Sequence, residues 1–518
     1  MENEERADET QPSTAAPFVP SVIFVVLVFV LMLLPSVGML WASTEATTEN
    51  RELAPLPSLT ALFGKADSTE GYLSMLGVYF DDHFAYRNEL VSANSWLREQ
   101  VFGVSATDQV VVGTDNWLYY NGTLADYLGA APMSDAALDD AAHNIFLMQT
   151  YVESTGAQFV FTIAPNKNTL YPAHMPAFCL QASAPSNAER LKPYLERYGV
   201  HYVDLFETLA QAPDELYCQR DSHWTNEGAL VAHTALMEAL GRDSLEEEFG
   251  LDLANLKTER KDFVGDLELM LYPYGGAPET NQYYPGINDG PGQTGSLWSY
   301  TGTARDVTQD QIETAGAGEG TALMFRDSFG NALLPYLATQ TQTALFSKLV
   351  PYNALLVSER EIDYVIVERA ERHLAYLSEN APLAPSPSLR FDAVDLPRSE
   401  ADAAAATLEV EESGSFLVLS GDVDSELYPF GRTEGAEDSQ ATILVSLKAS
   451  DKGSSSAADA KELFWEPYTL SLTETTERRG FLAYISAAGL EPGSYTVSVL
   501  LRSADELIVL QSTSWSIE

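Results

Sequence analysis

Basic residues are scarce in this chain. Its 518 residues include 29 Lys and Arg against 75 Asp and Glu, a formal charge of -46. No cationic stripe exists to neutralise phosphates, so nucleic-acid binding is excluded. Such acidity bears on solubility and partners and not on fold. Cysteine is almost missing, with only Cys179 and Cys218 present. Neither has the spacing of a metal site. The seven histidines also lack ligand spacing: His223 and His233 are ten residues apart, where a helical zinc pair wants three or four. No metal and no cofactor are expected. The two cysteines leave two readings open. In an oxidising compartment they close a loop of about forty residues with one disulfide, worth about 3–4 kcal/mol in the chain-entropy model. Otherwise they are buried free thiols.

Long apolar runs are equally rare. The stretch Val22 to Leu40, VIFVVLVFVLMLLPSVGML, holds no charge and one proline. At about 1.5 Å per residue it reaches across a hydrocarbon core of roughly 30 Å. A cleaved signal peptide is the rival reading, but its basic leading region is lacking: Arg6 stands among several acids. The expected layout is a polar tail over 1–16, a single-pass membrane anchor over 17–42 and a linker over 43–64. Nearly all the mass follows the anchor, which suggests a body outside the cytoplasm at the cell membrane.

What the chain does have is strands alternating with helices. Val110 to Tyr120 alternates like a hairpin turning at Gly113 to Asn116. Ser134 can cap a helix to about Ser154, followed by a buried-type strand, Gln158 to Ile163. A helix over Asn187 to Tyr198 and a strand over Val200 to Leu205 come next. Later stand the strand Ala322 to Phe325, a helix after Ser328 and the strand Tyr364 to Val367. This order predicts an α/β domain over 65–381 with a doubly wound parallel sheet, whose site lies at the carboxyl ends of the strands. Leu271 to Tyr300 is an aromatic, glycine-rich insertion that suits either sugar faces or a small core of its own. Pro382 to Pro387 breaks the pattern. Short alternating strands follow, and a β-sandwich over 388–518, Ig-like or carbohydrate-binding-like, is expected.

Chemistry concentrates in two segments. Asp221-Ser-His223-Trp224-Thr-Asn-Glu227 puts a carboxylate and an imidazole two residues apart, ahead of a helical run from Gly228 to Gly241. Leu323-Met-Phe-Arg326-Asp-Ser328-Phe-Gly-Asn331 is an apolar strand ending on a serine. Serine, histidine and aspartate supply the attacker, the proton acceptor and the group that orients that acceptor. Taken singly, each has an ordinary structural reading: Asp221 and Ser328 as helix caps, His223 as a hydrogen-bonded core residue. Jointly, at strand ends of one α/β domain, they predict a catalytic triad.

These segments, with Asp82-His83-Phe84-Ala-x-Arg87, resemble the DHHW and alginate O-acetylation proteins, which are SGNH-hydrolase-like. The resemblance covers roughly residues 65–380. It implies an SGNH-like fold and an extracytoplasmic O-acetyltransferase or acetylesterase acting on a polysaccharide. By position it makes Ser328 the nucleophile, His223 the base and Asp221 the orienter. A membrane-bound O-acyltransferase partner, supplying the acyl group, is implied by the resemblance alone. Two positions depart from the pattern: Ser222 replaces the second residue of DHHW, and Arg326 stands where glycine is more usual. The oxyanion asparagine has no plain counterpart. Asn166, Lys167 and Asn168 end a strand and are candidates, with Asn331, Arg326, Trp224 and Tyr171 as further oxyanion or substrate contacts. Transferase and esterase are not separable by sequence, and a catalytically idle glycan-binding scaffold is the reading from a different class.

Overall fold

The segment Gln158–Ala164 reads Gln-Phe-Val-Phe-Thr-Ile-Ala, and the fold buries both of its faces. Phe159, Phe161 and Ile163 enter one core, while Val160 and Ala164 enter another. The same alternation recurs in Thr321–Phe325, where Leu323 and Phe325 face the first core and Ala322 and Met324 the second. A strand with period-two side chains and two apolar faces must lie in the middle of three layers. The computed structural model describes residues 18–38, 54–58, 71–389, 396–401, 405–427, 442–450, 462–472, 477–503 and 506–517. The polar tail and most of the linker lie outside the described residues.

By internal contacts the chain falls into two units. One, Met1–Val110 with Glu268–Ala277, contains the helices Phe18–Gly38, Tyr72–His83 and Arg87–Leu97. The apolar run is therefore helical over Phe18–Gly38, and residues 39 and 40 lie outside the described residues. Among the described residues no helix is long and apolar enough to cross a membrane, so the anchor expected over 17–42 is not supported. The Asp82-His83 part of the motif ends the second of these helices, with His83 stacked on Tyr79 at 4.1 Å and its Nδ1 2.9 Å from the Tyr79 carbonyl.

The second unit, Val111–Leu267 with Pro278–Glu518, holds the α/β domain and the C-terminal sheets. Seven strands form its central sheet: β1 Gln158–Ala164, β2 Tyr202–Val203, β3 Trp298–Tyr300, β4 Gln311–Gly316, β5 Thr321–Phe325, β6 Thr343–Ser347 and β7 Tyr364–Ala370. Their order is β2-β1-β7-β5-β6-β4-β3. The first five in that order run parallel, as expected. The edge pair differs: β4 runs antiparallel to β6, and β3 antiparallel to β4. Parallel neighbours need a crossover of about a dozen residues. Only residues 317–320 join β4 to β5 on the far side of β6, too few to carry the chain back along the strands for a parallel entry, so it reverses. The sheet is thus mixed at one edge.

Helices cover both faces. On one lie α1, Asp135–Ser154, capped by the Ser134 side chain on the Ala137 N–H, and α2, Asn187–Tyr198, opened by a Ser186/Glu189 capping box. On the other lie α3, Asn226–Ala239, and α4, Gly330–Gln340. Side chains such as Phe161 and Phe325 are fully buried, each worth about 1.5–3 kcal/mol over exposure. Tyr284 and Trp298 from the aromatic insertion are buried in the opposite core, with Val160 and Met324, so they pack against the domain and not in a core of their own.

Beyond Pro387 a six-stranded and a four-stranded sheet face each other. Leu417, Leu419, Ala483 and Ile485 of one share a core with Val445, Leu447, Val497 and Val499 of the other. The sandwich packs on α1. Asn144 Nδ2 donates to Thr469 O at 2.8 Å, and Thr469 N–H returns to Asn144 Oδ1 at 3.0 Å. Arg479 reaches Asp139 at 3.2 Å and also bonds Asp140, while His143 Nε2 lies 2.9 Å from Glu466. Both faces of α1 are therefore covered, and four polar residues, Asp139, Asp140, His143 and Asn144, are buried on its outer side.

Candidate active site

Ser328 sits where strand β5 ends and α4 is about to begin. The turn between them is held tight by Arg326, whose buried guanidinium donates to Val307 O at 2.8 Å, Gln309 O at 3.0 Å and the Asn331 side-chain oxygen. A side chain at Gly330 would meet Arg326 Cβ at 2.6 Å, so only glycine permits this closure. Asp327 turns inward. Its carboxylate accepts the Phe329 N–H at 3.0 Å and the Ala370 N–H at 2.8 Å, with His373 Nδ1 at 3.2 Å. Burial opposes its ionisation, but the His373 bond, the Arg372 charge and the two amide bonds outweigh this and hold its pKa well below the usual range. With Asp327 committed to the interior, Ser328 is left half-buried at the surface of the sheet end.

The histidine loop is the tip of a narrow hairpin. Tyr217 and Trp224 pair across it, Thr225 N–H bonds Leu216 O at 2.7 Å, and Cys218 N–H bonds His223 O at 3.2 Å. At the tip Asp221 folds back over its own chain, accepting the His223 N–H at 2.8 Å on Oδ1. The same oxygen lies 2.8 Å from His223 Nδ1, and Oδ2 accepts the Asp266 N–H at 2.7 Å. Gly265 makes the last bond feasible, since a Cβ there would lie 2.3 Å from Arg220 O. Across the gap His223 Nε2 is 2.8 Å from Ser328 Oγ. Trp224 Nε1 donates to Phe329 O at 3.1 Å and ties the two loops together. Asp221, His223 and Ser328 thus form one continuous line of hydrogen bonds at the carboxyl ends of parallel strands.

Electrostatics match this line. Burial disfavours the Asp221 anion, yet the facing His223 and the amide bonds from Asp266 and His223 lower its carboxyl to about 2. Burial pulls the His223 pKa down, but Asp221 and then Asp266 outweigh it and raise it overall. The second carboxylate, Asp266, stands 3.8 Å from His223 Nδ1. Its Oδ2 receives the Ser222 hydroxyl at 2.5 Å and its Oδ1 the Ser222 N–H at 2.7 Å. So Ser222 fixes a second acid behind the imidazole. Asp221, His223 and Asp266 place three ligand atoms within 4.8 Å of one another. The hydrogen bonds just described already engage the Asp221 and Asp266 oxygens and His223 Nδ1, an arrangement that fits proton handling better than metal ligation.

Residues 110–287 match the family model described as the SGNH hydrolase-like domain of acetyltransferase AlgX. That segment is similar to an SGNH hydrolase-like domain. The match contains Asp221, His223 and Asp266. A curated relative, the probable alginate O-acetylase AlgJ of Pseudomonas syringae pv. tomato, is 25% identical over 200 residues, covering 37% of this chain and 49% of that protein. The chain therefore spans about half the length of the curated relative it matches. Among solved structures, the O-acetyltransferase domain of Pseudomonas putida AlgJ is 19% identical with a TM-score of 0.34, covering 51% of this chain and 92% of that one. Bacillus cereus PatB1 is 18% identical with a TM-score of 0.40, covering 52% and 98%. The resemblance to DHHW and alginate O-acetylation proteins read from the motifs is thus shown.

The remaining candidates in the SGNH-like domain fall elsewhere. Lys167 is buried and donates to three carbonyls, Leu118 and Gln219 at 2.7 Å and Asp221 at 2.9 Å, so it braces the histidine loop from behind. Burial lowers its pKa to about 8. Asn166 bonds Asp126 through Nδ2 at 3.4 Å, and Asn168 Nδ2 donates to Thr123 O at 3.4 Å. Trp224 is buried between the two loops. The Tyr171 hydroxyl accepts the Leu216 N–H at 2.8 Å. Arg326, with 0% exposure, is a brace inside the serine turn, and Asn331 is its partner. Both thiols, Cys179 and Cys218, are free and buried. Sequence reading missed Asp266, which has no spacing signal. It also missed Arg372, whose Nη2 lies 3.4 Å from Ser328 Oγ while its guanidinium packs 5.4 Å from the Phe329 ring. A signal for Arg372 existed, because it follows the carboxyl end of the parallel strand β7.

Proposed function

We propose that this chain is a polysaccharide O-acetyltransferase that works through an acyl-Ser328 intermediate. The observation that carries the reading is the unbroken Asp221–His223–Ser328 line, with 2.8 Å at each of its two junctions. His223 Nε2 takes the Ser328 proton as Oγ attacks an acetyl donor's carbonyl carbon. The donor's leaving group departs with that proton, and the acetyl ester stays on Oγ. An acceptor sugar hydroxyl then gives its proton to His223 and its oxygen to the acetyl carbon, freeing Ser328. Asp221 holds the imidazole tautomer and offsets its positive charge. Arg372 stands beside Oγ, where it can stabilise negative charge that develops on the attacked carbonyl oxygen.

The acetyltransferase description of the matching family supports transfer over hydrolysis. With water as acceptor the same residues make an acetylesterase, so the choice depends on what reaches the acyl-enzyme. Location outside the cytoplasm at the cell membrane, and a membrane-bound O-acyltransferase that supplies the acetyl group, belong to the same proposal. Fractionation of cells carrying the tagged full chain checks the location. The function itself is tested by incubating the full chain with an activated acetyl ester and a glycan acceptor. Acetylated glycan is expected from wild type and none from Ser328→Ala. Equal turnover by the two proteins rejects the reading.

A further inference from the structure

A cleft of about 480 Å³ opens beside the segment that carries Arg372. Its walls include Asp126, Tyr127, Thr169, Ser183, Asn187 and Glu371. That volume lies in the range of small-ligand sites. Glu371 is 2% exposed and accepts the Asn166 N–H and the Thr169 hydroxyl, each at 2.8 Å. The next residue, Arg372, touches Ser328, and the one after it, His373, touches Asp327. Cleft and nucleophile are therefore built on the same three residues, 371 to 373. The lining marks the cleft's chemistry: it has the carboxyl groups of Asp126, Glu189 and Glu371 together with hydroxyl and amide groups, and no Lys or Arg.

We propose that this cleft is the acceptor subsite and that it takes a glycan free of acidic groups, made of neutral or amino-sugar units. The inference rests on the acyl-transfer reading above. Sugar hydroxyls can donate to carboxylates, and a protonated amino group suits the same wall. A uronate carboxylate meets like charge there, inside a chain whose overall charge is already -46. Burial pushes the Glu371 carboxyl up to about 7, so near neutrality it both donates and accepts, as facing hydroxyls require. This separates the chain from the substrate named for its alginate relative, because alginate is a polyuronate.

The test is direct binding by the full chain, read by calorimetry on three oligosaccharides of equal length: a neutral glucan, an amino-sugar oligomer and an oligouronate. The neutral or amino-sugar oligomer is expected to bind at least ~tenfold more tightly than the uronate. Ser183→Trp at the exposed rim is expected to weaken that binding by a similar factor, and Ser183→Lys to shift preference towards the uronate. Equal or tighter uronate binding, no binding of any oligomer, or unchanged binding by Ser183→Trp would each overturn the assignment. Binding needs no turnover. If small-ester turnover survives Ser328→Ala while these preferences hold, the acyl-serine reading fails and the cleft assignment stands.

Discussion

Replacing Lys167 with methionine should loosen the catalytic loop without touching a reacting atom. Two effects oppose each other. Removing the buried ammonium lifts a desolvation cost: the pKa falls from 10.5 to about 8, which at about 1.4 kcal/mol per unit is roughly 3 kcal/mol. Against this, the carbonyls of Leu118, Gln219 and Asp221 lose their donor. Gln219 O keeps the Leu118 N–H at 2.9 Å, so two buried acceptors are left without a partner, at about 1–3 kcal/mol each or about 2–6 kcal/mol together. Lost bonding and relieved desolvation are then of similar size, and Lys167→Met should destabilise the fold at pH 7 by no more than about 3 kcal/mol. The pH dependence carries a second signature. A lysine whose folded pKa lies below its unfolded value penalises the fold at pH values below about 8, and the penalty fades between about 8 and 10.5. Wild type should thus gain relative stability over that window, while Lys167→Met, lacking the group, should not. Urea denaturation from pH 7 to 10 measures both. Because the Asp221 carbonyl is one of the three acceptors, kcat should fall more than KM rises. A variant as active as wild type, or one with the same pH course of stability, would refute the bracing role.

Asp221→Asn should leave the fold intact and cut kcat by about 10³–10⁴, because an amide no longer selects the imidazole tautomer that faces Ser328; steady-state kinetics with circular dichroism reads both. Activity should rise with pH as His223 loses its proton, with the midpoint above the ordinary histidine value because Asp221 and Asp266 outweigh burial. Asp266→Asn should move that midpoint to lower pH, and a rate flat from about pH 5 to 8 would contradict a histidine base. Arg479→Met leaves Asp140 buried without its guanidinium, while Asp139 keeps Arg197, and should cost about 3–5 kcal/mol, seen as a lowered denaturation midpoint.

Much of the site was legible because catalytic side chains cluster at the ends of predicted strands. Ser328 follows an apolar strand, and the Asp221–His223 spacing is short enough to read in one loop. The geometry of that loop was not legible: Asp221 turns back on its own backbone instead of extending, a choice set by the Leu216–Thr225 and Cys218–His223 contacts. Lys167 looked like a substrate contact because it ends β1, yet the space behind the histidine loop draws its amine inward. The parallel core of the sheet followed from strand–helix alternation. Its antiparallel edge did not, since the outer strand Trp298–Tyr300 is only three residues long and the four-residue 317–320 link shows its consequence only in three dimensions. Asp139, Asp140, His143 and Asn144 look like the solvent face of an amphipathic helix, and only the docked sandwich explains their burial.

The central claim is that Ser328 becomes acylated. Intact-mass spectrometry of the full chain, quenched shortly after exposure to an activated acetyl ester, measures this directly. One acetyl group is predicted, mapped by peptide fragmentation to Ser328 and absent from Ser328→Ala. Continued turnover with no adduct, or an adduct on another residue, would contradict the account.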